Sequence, residues 1–120
     1  MIMYHFVFCT KYRKKFFTKK NENSFKQIVR DIKFDFNIID IGIDKDHIHI
    51  AVSARPKYSP SQIARIFKQL TSNKIWKKHN KYLRKFYWKR KVFWSTGYFV
   101  STVGNVSKDI VLEYVKNQGK

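Results

Sequence analysis

Four short segments of the chain, each seven or eight residues long, are rich in the β-branched and aromatic residues that are typical of β-strands. In the segment 46–53, isoleucine and valine alternate with other residues, as expected of a strand with one buried face. A tight turn at Asp44-Lys45 would join this strand to the one before it. The four predicted strands are residues 4–10, 37–43, 46–53 and 97–103.

Three further segments predict α-helices. The first is 24–36, where apolar residues recur at helical spacing, and the second begins at Ser59, where Gln62 completes a capping box. The last begins near Ser107. The order βαββαβα predicts an α+β fold in which helices pack on an antiparallel sheet. Since 120 residues suffice for one core but not two, we expect a single domain over residues 1–120.

The charge of the chain is strongly positive, with 26 Lys and Arg residues, 8 Asp and Glu residues and a net charge of +18. Such an excess indicates a polyanionic partner, most often nucleic acid. Basic residues concentrate at 11–20 and 77–91, and aromatic residues are interspersed in the second stretch. This mixture suits single-stranded nucleic acid, because cations follow phosphates and rings stack on unpaired bases. A solvated loop with a few buried rings is the alternative. The candidate DNA-binding residues are Lys11, Arg13, Lys14, Lys15, Lys78, Arg84, Lys85 and Arg90.

The composition disfavours several other classes of protein. The basic residues do not follow one amphipathic helix, so we expect no membrane partner. The apolar N-terminal segment is too short to span a bilayer, and Cys9 is the single cysteine, so we expect a cytoplasmic protein. None of the four glycines belongs to a phosphate-binding loop pattern, which predicts that no nucleotide cofactor is used.

Two of the four histidines lie one residue apart on the strand 46–53. Alternation directs His47 and His49 to one face of the sheet and the intervening apolar residues Ile48, Ile50 and Val52 to the core. The two histidine Cα atoms would then lie roughly 6.6 Å apart, two strand steps. Paired imidazoles at this separation can bind one metal ion. The alternative is a half-exposed strand with two histidines on its polar face.

The last predicted helix has a second pair of chemically interesting residues. Tyr114 and Gln118 are four positions apart, so they share the helix face that also carries Val111 and Val115. This face must pack against the sheet. Taken alone, the pattern favours a structural role, with Tyr114 as a half-buried packing residue and Gln118 at a frayed terminus.

Taken together, these motifs resemble a known family. The "HIH" of a central strand, followed by a C-terminal helix with "YVKNQ", resembles the HUH superfamily of single-strand DNA nucleases. The chain is most similar to the single-tyrosine, IS200-like transposases of bacterial and archaeal insertion sequences. That likeness implies a ferredoxin-like or RRM-like sheet. The segments that carry the resemblance are 4–17, 44–52, 59–76 and 93–118.

The resemblance implies a role for each residue of the two motifs. His47, His49 and Gln118 would bind a divalent metal, magnesium or manganese, and Asp46 would either fix an imidazole tautomer or form part of the hairpin turn. Tyr114 would attack single-stranded DNA, remain attached to the 5′-phosphate and release a 3′-hydroxyl. Members of the family act as homodimers and recognise DNA hairpins near the ends of the element.

Other nucleic-acid proteins fit the sequence less well. Transposases of the carboxylate-triad type need three acidic residues, whereas no acidic residue occurs from His47 through Lys108. A structural zinc site would need more cysteines. The remaining alternative is a non-catalytic RNA- or DNA-binding module of RRM-like fold, although the aromatic-rich strand of such modules is absent. If Tyr114 is not the nucleophile, Tyr98 is the next candidate.

Overall fold

In the computed structural model, which describes residues 1–102 and 108–117, four strands form one antiparallel sheet in the order β2-β3-β1-β4. The prediction of an α+β fold with an antiparallel sheet is therefore confirmed. A short helix, α3, is added within the basic stretch. The strands are β1 (Ile2–Cys9), β2 (Asn37–Ile43), β3 (His47–Ala54) and β4 (Phe99–Ser101), and the helices are α1 (Lys19–Asp31), α2 (Pro60–Lys78), α3 (Asn80–Leu83) and α4 (Lys108–Asn117).

The start of α2 follows the predicted local pattern. The Ser59 side chain accepts a hydrogen bond from the Gln62 backbone N–H at 3.1 Å, and the Gln62 side chain accepts one from the Ser59 N–H at 2.8 Å. This reciprocal pair is the predicted capping box. Because all of its partners lie within one turn, the sequence alone was sufficient to locate it.

The predicted boundaries of α1 were wrong. The helix begins five residues earlier than the predicted 24–36, because the Thr18 side chain caps it by accepting from the Asn21 N–H. It ends at Asp31. Phe36 is buried as expected, but it reaches the core from the chain that leads into β2, where its ring stacks on Phe34 with centroids 5.0 Å apart.

The last predicted strand is shorter than expected, and the start of the last predicted helix is not tested. The strand predicted at 97–103 is only three residues long, Phe99–Ser101. The predicted start of the last helix, Ser107, lies outside the described residues, and the helix is described from Lys108. The described part of the chain contains no helix that is long and apolar enough to cross a membrane.

The main core lies between one face of the sheet and helices α1 and α2. The predicted alternation in β3 is confirmed here, since the three apolar residues Ile48, Ile50 and Val52 are fully buried on this face. The opposite face has a smaller apolar cluster, in which Val115 of α4 packs against Val7 and Cys9 of β1. Helix α4 therefore covers the sheet face that is opposite to α1 and α2.

Candidate active site

The two histidines of β3 lie on the face of the sheet that α4 covers. In the antiparallel register between β1 and β3, His47 is opposite Cys9 and His49 is opposite Val7. Directly opposed residues of an antiparallel pair direct their side chains to the same face. Val7 and Cys9 contact α4, so the fold brings the histidine pair and the tyrosine helix to one side of the sheet.

His47 is buried and held by the hairpin turn that precedes it. Its Nδ1 lies 2.9 Å from Asp46 Oδ1, and its Nε2 lies 3.9 Å from Asp44 Oδ2. Asp44 forms the turn, as predicted, because its carboxylate accepts from the Lys45 N–H and its own N–H donates to the His47 carbonyl. The burial of His47 differs from the half-exposed position expected of a polar strand face.

Asp46 connects His47 to the basic segment that follows β1. Its second carboxylate oxygen accepts a hydrogen bond from Arg13 Nε at 3.3 Å. Burial alone would raise the pKa of Asp46, but hydrogen bonds from His47 and Arg13 outweigh it and hold the pKa below its ordinary value. An ionised carboxylate can only accept, so Nδ1 of His47 donates, and in the neutral tautomer that this bond selects the lone pair is on Nε2. This geometry fits the tautomer-fixing role considered for Asp46.

His49 is exposed and its ring lies directly over Gly42 of β2. A Cβ atom added to Gly42 would lie 2.0 Å from His49 Nε2 and 2.2 Å from Cε1, which is far inside any permitted contact. The ring therefore occupies space that every other residue type would fill. Sequence analysis missed Gly42 as a site residue. The available signal was a glycine inside a strand, which often marks a close approach of another group.

Tyr114 lies on the same side of the sheet as the histidines. Its ring packs against Phe99 with centroids 5.9 Å apart, and it adjoins the cluster of Val7 and Cys9. Its hydroxyl is buried and has no hydrogen-bond partner within the described residues. Burial, and to a lesser extent the Cys9 thiol, raises the pKa of Tyr114. The phenol is thus protonated in this arrangement.

The second candidate nucleophile, Tyr98, lies elsewhere. Its ring packs against Phe6 and Phe8 on the main core, and its hydroxyl is 2.9 Å from the Ser61 hydroxyl of α2. The fold therefore groups Tyr114, and not Tyr98, with the histidine face.

The donor set on this face can be tested for its fit to a divalent cation. Two imidazoles share the face, one hydrogen-bonded to Asp46 and one exposed, and imidazole is a ligand that suits a divalent transition-metal ion. Within residues 1–102 and 108–117, no group of three or more His, Cys, Asp and Glu side chains converges on one point. The predicted third ligand, Gln118, lies outside the described residues. The two histidines therefore fit a cation whose remaining ligands come from elsewhere.

The two basic stretches of the sequence meet next to this site. Residues 11–15 pack against residues 82–90, and we call these two segments together the basic–aromatic surface. The Tyr87 hydroxyl donates to the Lys11 carbonyl at 2.7 Å, and Lys14 Nζ lies 4.9 Å from the centre of the Phe86 ring. A cavity of about 370 Å³ lies between them, and Trp88, which is 73% exposed, lines a second cavity of about 340 Å³ between the same segments.

The candidate DNA-binding residues divide by their surroundings. Arg13 differs from the others, because its guanidinium is already engaged by Asp46 and by the Lys116 carbonyl of α4. Lys78 is exposed at the end of α2, apart from the two segments. The remaining candidates belong to the basic–aromatic surface and are partly or fully exposed: Lys11, Lys14, Lys15, Arg84, Lys85 and Arg90.

Comparisons with known proteins agree on one family. Residues 1–118 match the family model described as "Transposase IS200 like". The transposase for insertion sequence element IS200 of Salmonella typhimurium is 30% identical over 118 residues, which are 96% of this chain and 75% of the relative. The ISDra2 transposase TnpA of Deinococcus radiodurans is 23% identical over 96% of this chain and 82% of its own length. A solved protein of Deinococcus radiodurans R1, thought to be a transposase, superposes with a TM-score of 0.85 at 22% identity, covering 98% of this chain and 90% of that one. This likeness shows the fold.

Proposed function

Because this chain belongs to the IS200-like transposase family and is therefore a DNA transposase, we propose that it cleaves and rejoins single-stranded DNA with Tyr114 as nucleophile. His47 and His49 would hold magnesium or manganese, with Gln118 as the third protein ligand. The main support is the shared sheet face, where the register of β1 and β3 aligns both histidines with the residues that α4 contacts.

The proposed chemistry is a transesterification. The Tyr114 oxygen attacks the phosphorus of a phosphodiester, and the bond from phosphorus to the 3′-oxygen breaks. The phenol proton leaves to solvent, and the departing 3′-oxygen takes up a proton. The 5′-phosphate stays on Tyr114 until a 3′-hydroxyl reverses the step, so the exchange of ester bonds needs no ATP.

The residues of the proposed site would provide positioning and electrostatics for this reaction. A bound divalent cation would polarise and orient the scissile phosphate. Asp46 would keep the His47 Nε2 directed at the cation through the hydrogen bond at Nδ1. A free phenol has a pKa near about 10, and burial raises the pKa of Tyr114. The phenol must therefore leave its apolar surroundings, or gain a nearby positive charge, before it reacts.

The basic–aromatic surface would bind the DNA strand. Its cations can follow phosphates, while rings such as exposed Trp88 offer stacking faces for unpaired bases. We propose hairpins at the ends of the element as the bound DNA and a homodimer as the active form, since two ends must be cleaved and exchanged. Affinity would fall steeply with salt, because phosphate neutralisation releases counterions.

A covalent-adduct assay tests the nucleophile. The protein is incubated with single-stranded hairpin DNA from an element end and with magnesium or manganese, and a protein–DNA adduct is sought on a denaturing gel. We expect an adduct for the wild type and none for Tyr114→Phe. Tyr98→Phe is the matched control, since it removes the same hydroxyl from the opposite face and should retain the adduct.

Measuring DNA affinity for the same variants separates cleavage from binding. His49→Ala should abolish the adduct and leave DNA affinity within a few-fold of the wild type, because affinity depends mainly on the basic surface. An adduct that persists in Tyr114→Phe would assign the nucleophile elsewhere. Tight binding of every DNA tested without any adduct would favour the non-catalytic binding module.

A further inference from the structure

Arg13 contacts two parts of the proposed active site at once. Its Nε donates to Asp46 Oδ2 at 3.3 Å, and its Nη1 donates to the Lys116 carbonyl of α4 at 3.2 Å. We call this pair of contacts the Arg13 bridge. Asp46 in turn holds Nδ1 of His47 at 2.9 Å. One side chain therefore connects the support of a proposed metal ligand to the helix that carries Tyr114.

The carbonyl at Lys116 is a favourable acceptor for a cation. It belongs to the last turn of α4, where backbone carbonyls lack partners within the helix. The C-terminal end of a helix also carries partial negative charge, which attracts a guanidinium. The Arg13 bridge thus stabilises α4 at its C-terminal end, which precedes the proposed ligand Gln118 in the sequence.

The described side chains of α4, from Leu112 to Asn117, make few other contacts with the sheet. Among the side chains described, from Leu112 to Asn117, only Val115 is buried, and Leu112 is 52% exposed. Tyr114 contributes its ring, but its buried hydroxyl has no partner within the described residues, which penalises the docked position. Over these described residues, the apolar contact is small and the unpaired hydroxyl opposes it, so the Arg13 bridge is a substantial part of what holds this portion of the helix in place.

The backbone at this point is unusual for its residue types. Tyr12 and Arg13 both have positive φ values, 60° and 52°. Among the described residues of the chain, they are the only non-glycine residues with a positive φ. Such conformations are unfavourable for residues with a Cβ and persist only where surrounding contacts impose them. From this left-handed turn the Arg13 side chain reaches Asp46 and α4. Arg13 and its neighbours Lys14 and Lys15 all line the cavity of the basic–aromatic surface.

DNA would compete for the same guanidinium. The Arg13 side chain is 39% exposed, and Arg13 is one of the residues that line the cavity of the basic–aromatic surface. A phosphate is a charged acceptor that arginine binds in two-pronged geometry, whereas the Lys116 carbonyl is neutral. A phosphate arriving at this surface would therefore displace the carbonyl more readily than the Asp46 carboxylate.

We propose that Arg13 is a positioning residue, which keeps α4 docked in the resting protein and releases it when a DNA backbone phosphate takes the place of the Lys116 carbonyl. The proposal rests on the proposed function for the meaning of that release. Binding of DNA and freeing of the Tyr114 helix would then be one event. The phenol would leave its apolar contacts with Val7 and Cys9 only after DNA has bound.

Hydrogen–deuterium exchange of the α4 amides tests whether Arg13 keeps the helix docked. Arg13→Gln should speed exchange at residues 112–117 by about tenfold or more, the loss expected for one charged hydrogen bond. Exchange in β1 and β3 should stay unchanged, which separates undocking from general unfolding. Lys15→Gln is the matched control, because it removes a charge from the same surface without a contact to α4. Arg13→Lys should restore docking in part, since lysine can reach one acceptor but lacks the second prong.

To test release, the exchange measurement is repeated with single-stranded hairpin DNA and a metal chelator, so that cleavage cannot occur. We expect DNA to speed α4 exchange in the wild type and to have little further effect in Arg13→Gln. Equal α4 exchange in Arg13→Gln and the wild type, or slower exchange on adding DNA, would overturn the proposal. Because exchange is read without metal, a failed adduct assay would refute the proposed nucleophile and leave this result standing.

Discussion

Substituting alanine for Gly42 is the sharpest test of the proposed metal site. The new Cβ would lie 2.0 Å from His49 Nε2, whereas ordinary contact begins at 3.4 Å, so the ring must move by about 1.4 Å. The ring is the exposed, flexible end of its side chain, and the β2–β3 backbone pairing is fixed by the ladder. We therefore expect the ring to rotate away and the strands to remain.

The magnitude follows from how little a metal ligand can move. Ligand distances are held within about 0.2 Å, so a displacement of this size removes the imidazole from the coordination sphere. Removing a hydrogen-bond partner of a metal ligand typically lowers metal affinity about 10–100-fold. Displacing the ligand itself should lower the affinity for Mn²⁺ by at least as much. The free energy of unfolding should not fall, because glycine within a strand costs about 0.5–1 kcal/mol of conformational entropy relative to alanine.

Calorimetric titration with Mn²⁺, together with urea unfolding, measures both quantities. The variant His49→Ala is the reference. The double variant Gly42→Ala/His49→Ala should bind Mn²⁺ no more weakly than His49→Ala alone, because no imidazole ring remains to be displaced. Wild-type Mn²⁺ affinity in Gly42→Ala would refute the reasoning. An equal loss in both backgrounds would also refute it, since the effect would then not pass through His49.

Two further predictions concern stability. Tyr114→Phe removes a buried hydroxyl without a partner among the described residues, so urea unfolding should show unchanged stability or a gain of roughly 1 kcal/mol; a clear loss would mean that the hydroxyl has a partner. Burial, aided by the charges of Lys78 and Lys20, lowers the pKa of His79 below its ordinary 6.5, so the unfolded chain binds the proton more readily and stability should fall as the pH drops through 6.5. His79→Gln should flatten that fall, and an identical pH profile would contradict it.

The parts of the fold that were predicted correctly depend on local patterns. The capping box at Ser59 and Gln62 involves neighbours within one turn, and the buried face of β3 follows from simple alternation. The boundaries of α1 failed for the opposite reason. The apolar spacing continues to Phe36, but that ring reaches the core through stacking on Phe34 from outside the helix, a tertiary contact that periodicity cannot distinguish from a helical one.

The candidate site was predictable only in its residue types. The histidine pair and Tyr114 follow from the motif and its resemblance, and their shared sheet face follows from the register, which the sequence does not specify. Gly42 was not predicted as a site residue, and Arg13 was predicted only as a DNA-binding residue, not as a contact of Asp46 and α4. Gly42 depends on which residue of β2 lies opposite His49, and Arg13 joins groups that are 33 and 103 positions away along the chain.

Arg13 also changes how the positive charge of the chain should be understood. With a net charge of +18, most basic residues can contribute to DNA affinity simply by number, and loss of one would be a small fraction of the total. Arg13 is different because its charge is already used inside the protein, by Asp46 and by the Lys116 carbonyl. Because the proposed release places the Arg13 guanidinium on a DNA phosphate, mutation of Arg13 and of Lys15 should weaken DNA binding to a similar extent. Only mutation of Arg13 should also loosen the helix that carries the proposed nucleophile.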